Sequence, residues 1–205
     1  MARPQNPQTK LNLLVAALSV IRRQGYAGTT VEDICVEAGV SKGAFFHHFA
    51  SKEELAVSAA HHWSETTSNF FSQAPYHGIH DPLQRILEYV RFRRDLVRGN
   101  LPEFTCFVGT LTQEVYDTSE PIRKACWESI SGHADTLVAD ISAAMELYGI
   151  EGNFTAESLA LHTQAVIQGA FILAKASDEP ERALESIDHL HRYLTLLFRS
   201  EKHQQ

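Results

Sequence analysis

The sequence predicts an all-α protein of about nine helices: a three-helix N-terminal unit in helix-turn-helix order, then a longer helical domain. Three observations predict it. Apolar residues recur at three- and four-residue spacing almost throughout; hydroxyl, Asp and Gly residues stand where such runs start and stop; and no period-two strand, internal repeat or low-complexity segment interrupts them.

Leu11, Leu14, Val15, Leu18 and Ile21 form the first stripe, with Arg22 and Arg23 at its negative end and Gly25 as a left-handed cap. Thr30 is placed to cap a second, short helix carrying Val31, Ile34, Cys35 and Ala38, with Glu32 and Asp33 in the first turn and Gly39 at the stop. Ser41 opens a third run, KGAFFHHF, and Ser51-Lys-Glu-Glu54 reads as a capping box for a fourth helix. Asp81-Pro82 begins a helix with Leu83, Ile86, Leu87, Val90 and Val97 on one face, closed by Gly99. A shorter helix is expected from Glu103 to Tyr116. Beyond Ser119-Glu-Pro, Ile122, Cys126, Ile130, Ala134, Leu137, Ile141, Met145 and Tyr148 keep helical spacing up to Gly149. Thr155 to Lys175 is apolar on more than one side, as in a helix buried on two faces. Pro180 starts a last helix striped by Leu184, Ile187, Leu190, Leu194 and Leu197.

The chain has 205 residues, 44% of them hydrophobic, enough for one or two domains. Its net charge of -7 argues at first against nucleic acid, because phosphate affinity rests on clustered Lys and Arg. The sum hides a division: residues 1–52 hold six bases (Arg3, Lys10, Arg22, Arg23, Lys42, Lys52) and three acids, a net of +3, whereas the remainder nets -10. No apolar run is long enough to span a membrane, and the N-terminus lacks the apolar core of a signal peptide, so a cytoplasmic protein with no membrane partner is expected. Cys35, Cys106 and Cys126 are odd in number and lack a C-x-x-C pair, which fits a reduced compartment. Adjacent histidines such as His47-His48 and His61-His62 point about 100° apart on a helix and poorly share one ion, so neither metal nor cofactor is expected.

The chemistry concentrates around Ala38-Gly39-Val40-Ser41. Val40, Phe45 and Phe49 are the inward positions of the helix that follows; Ser41, Lys42, Gly43, Ala44, Phe46 and His47 face outward. Small residues at the start of a recognition helix let it approach base edges, while Lys42 and the imidazoles reach bases or phosphates. The helix starts at Thr30 and Ser41 offer hydroxyls and N–H groups to phosphate, and Lys52 is placed as a phosphate clamp. A plain helical bundle would need neither an exposed Phe46-His47 pair nor a Gly43 that costs about 1 kcal/mol in helix propensity.

Taken together, Gly25-Tyr-x-Gly-Thr-Thr30-Val-x-Asp-Ile34, Ala38 to Phe49 and Ser51-Lys-Glu-Glu-Leu55 resemble the DNA-binding domain of the TetR family of bacterial transcriptional regulators, from residue 10 to about 56. The resemblance implies a homodimer whose paired recognition helices read a palindromic double-stranded operator, and a separate domain that releases DNA on binding an inducer. Residues 1–52 would then read DNA, and 53–205 would bind effector and dimerise. Phe46 stands where the family commonly has Tyr, so a phosphate hydrogen bond is lost or passes to His47 or His48.

Phe104-Thr-Cys106-Phe-Val-Gly109-Thr-Leu-Thr-Gln-Glu114 resembles a segment of a subgroup whose members sense electrophiles or oxidants through the cysteine. A thiol at a helix N-terminus carries more thiolate, and an ammonium nearby adds to it; the resemblance suggests Lys175 as that partner. Cys106 equally suits a small buried hydrophobe. A non-covalent apolar or aromatic effector would instead sit among Trp63, Phe92, Trp127, His133, His162 or Phe171, each of which also suits core packing. The helix from Thr155 and the stripe Leu184, Ile187, Leu190, Leu194 and Leu197 are the candidate dimer surface, unless the stripe buries within the chain. An enzyme using Cys106 and a histidine, or a protein-binding adaptor, are the other readings. No nucleophile elbow, phosphate loop or paired-ligand motif supports catalysis, so a regulator and not an enzyme is expected.

Overall fold

A computed structural model describes residues 7–199, so Arg3 of the basic head lies outside the described residues. All regular structure among them is helical: α1 (Pro7–Gln24), α2 (Val31–Ala38), α3 (Lys42–His48), α4 (Lys52–Ser72), a 3-10 turn at Pro75–Gly78, α5 (Pro82–Asp95), α6 (Leu101–Phe104), α7 (Phe107–Val115), α8 (Glu120–Tyr148), α9 (Ala156–Ser177) and α10 (Pro180–Leu197). No helix among the described residues is long and apolar enough to cross a membrane.

The helix expected from Glu103 to Tyr116 is two. The chain breaks because Cys106 is extended (φ -75°, ψ 125°) and acts as an N-cap, its Sγ accepting the Gly109 N–H at 3.4 Å. Sequence reasoning does not place a cysteine in that role, since Ser, Thr, Asp and Asn dominate it.

The chain forms two compact units. One combines the residues up to Ser68 with Thr105–Ser129; the other combines Asn69–Phe104 with the residues from Ile130 on. In the first, the cap expected at Thr30 is a reciprocal box: its hydroxyl accepts the Asp33 N–H at 3.1 Å, and the Asp33 carboxylate accepts the Thr30 N–H at 2.8 Å. Gly39 closes α2 in the left-handed conformation (φ 65°). Glu54 N–H reaches Ser51 Oγ at 3.1 Å, while the Glu54 carboxylate accepts from Ala50 at 2.7 Å, one residue before the expected partner. Leu13, Ile21, Ile34, Phe45, Leu55, Phe107, Leu111 and Ile122 form its core. Burying a side chain as large as Phe45 contributes about 2–3 kcal/mol.

In the second unit, α10 packs on α5 and α9. Its leucine stripe faces inward: Ile187, Leu190 and Leu194 are 0%, 2% and 0% exposed in a single chain, and Leu184 and Leu197 are half-buried. Of the two directions open to it, the stripe therefore takes the one into the protomer. Ile187, Leu190 and Leu194, expected on a dimer surface, have almost no accessible surface in the protomer and so offer a partner little to bury. Exposed apolar surface lies elsewhere on these helices, at Leu161, Ile172 and Leu173 of α9 and Tyr193 and Leu196 of α10.

Candidate functional site

Helix α3 is short, so its amphipathicity decides what it presents. Ser41 caps it, accepting the Ala44 N–H at 3.1 Å. Phe45 and Phe49 are buried (0% and 2% exposed), which turns Lys42, Gly43, Phe46 and His47 to solvent, with Ala44 at the margin; Phe46 remains 57% exposed. An added Cβ at Gly43 would meet only Ser41 Oγ at 3.7 Å, an ordinary contact. Packing within the protein thus gives no reason for glycine there. His48 does not join the outer face: it is half-buried, its Nδ1 is enclosed without a hydrogen-bond partner, and burial, with His47 and Lys10 nearby, lowers its pKa and keeps it neutral.

Two cations behave differently from each other. Lys42 Nζ lies 2.7 Å from Glu32 Oε2, an exposed and solvent-screened pair, and so easily exchanged for a phosphate. Lys52, expected at a phosphate, is instead tied inward. Its ammonium donates to the carbonyls of Tyr26 (2.9 Å) and Thr29 (2.7 Å), sits 4.1 Å over the Tyr26 ring, and has its pKa lowered by burial. It braces the turn between α1 and α2.

Glu114, near the end of α7, holds the same turn. Its carboxylate accepts the backbone N–H groups of Tyr26 at 3.0 Å and Ala27 at 2.9 Å. Gly25 is left-handed there (φ 80°), and a Cβ on it would come within 2.7 Å of the carboxylate. The only sequence signal for Glu114 is its place at the end of the segment that begins at Phe104.

The candidate effector residues do not gather in one place. Trp63 lies in the first unit, 6.3 Å from the Phe107 ring and under the Arg22 guanidinium at 5.3 Å; Trp127, in the same unit, is 57% exposed. His162 is exposed on α9, 5.4 Å from Tyr193. Phe92 and His133 do converge in the second unit, around Phe71, which stands 5.7 Å from Phe92 and 4.7 Å from His133, and Phe171 joins them through Arg93, 5.9 Å from its ring. His133 Nε2 lies 3.0 Å from Tyr89 Oη and 3.3 Å from Arg93, and Gln164 donates to Tyr89 Oη at 2.9 Å. Burial and then Arg93 push the His133 pKa down to about 3, so the ring is neutral and accepts at Nε2. Tyr89, Arg93 and Gln164 went unnoticed in the sequence because only the fold brings α5, α8 and α9 together.

Cys106 is half-buried at the start of α7, in the first unit, and Lys175 is in the last turn of α9, in the second. The other two thiols are poor nucleophiles: burial raises the pKa of Cys35 and pushes that of Cys126 up to about 11. No group of three or more metal-ligating side chains occurs among the described residues.

Residues 13–59 match the bacterial regulatory proteins of the tetR family, and residues 82–190 match the tetracyclin repressor-like C-terminal domain. The transcriptional repressor DhaR of Mycobacterium sp. (strain GP1) is 24% identical over 187 residues, 91% of this chain and 89% of DhaR. The match to the Bacillus subtilis regulator YerO is partial, at 36% identity over 62 residues, and the chain spans only 22% of that protein. Among solved structures, reduced Escherichia coli NemR superposes with a TM-score of 0.76 at 23% identity, covering 89% of this chain and 94% of NemR. The TetR-family regulator CifR, a cysteine mutant bound to a 26-bp double-strand operator, gives 0.74 at 18% identity, covering 94% and 98%. At these identities the structural likeness speaks to fold.

Proposed function

Because the chain belongs to the TetR family of bacterial transcriptional regulators, we propose that it is a homodimeric repressor, released from a palindromic operator when a small effector binds. The observation that carries this reading is the outer face of α3, where Lys42, Gly43, Phe46 and His47 are exposed over a buried Phe45. Glycine at 43 has a purpose if a base edge or phosphate must come close. Thr30 and Ser41 position the starts of α2 and α3, with Ala44 and His47 within the contact surface; Lys52 holds the turn behind it. Residues 1–52 form the reading head and 53–205 the effector and dimer domain.

For the dimer we infer that α9 and α10 pair with their copies across Leu161, Ile172, Leu173, Tyr193 and Leu196, in an isologous four-helix arrangement. A fixed separation between two α3 helices is what a palindromic site requires. Leu184 and Leu197, half-buried in the protomer, lie beside that surface.

Cys106 is the proposed sensor of an activated alkene: its thiolate sulfur bonds to the β-carbon as the C=C π bond breaks, and the α-carbon takes up the proton lost from the thiol, leaving a thioether. Its position as a helix cap supports this reading, as does the burial that disarms Cys35 and Cys126. Adduct formation leaves Sγ a more crowded, weakly accepting thioether opposite the Gly109 N–H, at the start of the helix that carries Glu114 to the α1–α2 turn. The experiment is electrophile-induced release of operator DNA by wild type and Cys106→Ser. Loss of response in the variant is expected, and release that survives the change contradicts the sensor.

A further inference from the structure

Arg93 stands apart from the other arginines of its helix. Helix α5 carries Arg85, Arg91, Arg93 and Arg94. Arg85 lies 2.7 Å from Asp140, Arg94 lies 2.7 Å from Asp188, and Arg91 pairs with Glu88 one turn back. Arg93 has no carboxylate within ion-pair distance among the described residues. It is half-buried between two rings, its Cζ 5.2 Å from the Phe71 centroid and 5.9 Å from that of Phe171.

Ring faces stabilise a guanidinium but offer no acceptor in the plane where its five N–H groups point. Among the described residues the one acceptor in reach is His133 Nε2 at 3.3 Å, a single lone pair also approached by the Tyr89 hydroxyl at 3.0 Å. Neutral His133 contributes no negative charge, and Tyr76, whose pKa burial raises to about 12, stays protonated. A cation drawn this far from water is normally paired, and a planar guanidinium matches a carboxylate through two parallel hydrogen bonds. His133 is half-buried and keeps some accessible surface beside Arg93. Beside this group Phe70, 48% exposed, stacks on Phe92 at 5.6 Å and leaves an aromatic face open.

We propose that the second unit binds an organic acid, its carboxylate on Arg93 and its apolar or aromatic body against the Phe70–Phe92 stack, with the buried rings of Phe71 and Phe171 backing the guanidinium. Tyr89 and Gln164, both buried and hydrogen-bonded to each other, fix the orientation of His133 and hence the direction of the Arg93 fork. Arg93 and the rings around it are not nucleophiles, so the site takes ligand without covalent chemistry. The inference rests on the reading of this domain as the effector domain, and it adds the ligand's charge and shape.

The test is calorimetric titration of the full-length protein, without DNA, using benzoate, phenylacetate and hexanoate, each beside its neutral amide. At least one acid is expected to bind ten times or more tighter than its amide. Arg93→Gln should abolish that preference and Arg93→Lys should keep part of it, with thermal unfolding run on both variants. The acid-to-amide ratio is measured on wild type, so it decides the matter even if Arg93→Gln does not fold. No acid exceeding its amide, or a preference that persists in a folded Arg93→Gln protein, overturns the proposal. Operator release is assayed separately: acids that bind but leave the DNA complex intact support the site and contradict its use as a switch, whereas release by an electrophile with no acid binding contradicts the site alone.

Discussion

Glu114 accepts the backbone N–H of Tyr26 at 3.0 Å across 88 residues of sequence, and the same carboxylate takes Ala27 at 2.9 Å. From the other side of the turn, Lys52 holds the carbonyls of Tyr26 and Thr29. The turn that sets α2 against α1 is thus gripped by an anion on its N–H groups and a cation on its carbonyls. Glu114→Ala should lower stability by about 1 kcal/mol, the ordinary worth of such bonds, and weaken operator binding by more than that loss explains, because the head is no longer held by α7. Glu114→Gln, which keeps one carbonyl acceptor, should fall between. Thermal unfolding and DNA-binding anisotropy on the same samples check both.

Gly43 separates fold from function. Alanine there meets no obstruction, and replacing a helical glycine gains up to about 1 kcal/mol, so Gly43→Ala should melt at or above the wild-type temperature. Its operator affinity should nevertheless fall, since the added methyl stands on the DNA-facing surface. A variant of unchanged affinity would remove the reason given for glycine.

Helix α10 has two faces with different duties. Leu190→Ala empties a fully packed position and should cost about 2–5 kcal/mol of stability. Leu196→Glu, at a position 66% exposed in the protomer, should leave the fold intact and yield monomers in sedimentation or light scattering. A dimeric Leu196→Glu protein would place the interface elsewhere.

Much of this was legible in the sequence because it is local. The caps at Thr30 and Ser41 and the helix starts at Asp81 and Thr155 were expected, and each of these side chains accepts the N–H three residues on. The helix-turn-helix followed from such signals, and Phe45 and Phe49 point inward as their spacing required. What stayed hidden depends on distant pairing. Lys52 reads as a surface cation until the Tyr26 and Thr29 carbonyls reach it, and the α10 stripe shows that a face is apolar without showing which neighbour covers it. The Tyr89–His133–Gln164 cluster joins three helices and has no sequence spacing to find.

His133 gives a pH dependence of known sign. Its pKa falls from the ordinary 6.5 to about 3 in the folded protein, so between those values the unfolded chain binds more protons. Its contribution is complete above pH 6.5 and is lost as the pH falls toward 3, with a slope of up to about 1.4 kcal/mol per pH unit. His133→Gln should flatten that part of the profile measured by urea unfolding from pH 4 to 7. An unchanged slope would show that the imidazole is not desolvated.

The most direct measurement is titration of the protein with duplex DNA from upstream of its own gene, compared with a scrambled duplex, over a range of salt. Two protomers per duplex are expected, with affinity well above the scrambled sequence and log Kd varying linearly with log salt; Lys42→Gln should reduce the slope by about one. Equal affinity for both duplexes at every salt concentration, or no complex at low salt, would contradict a DNA-reading role for α3.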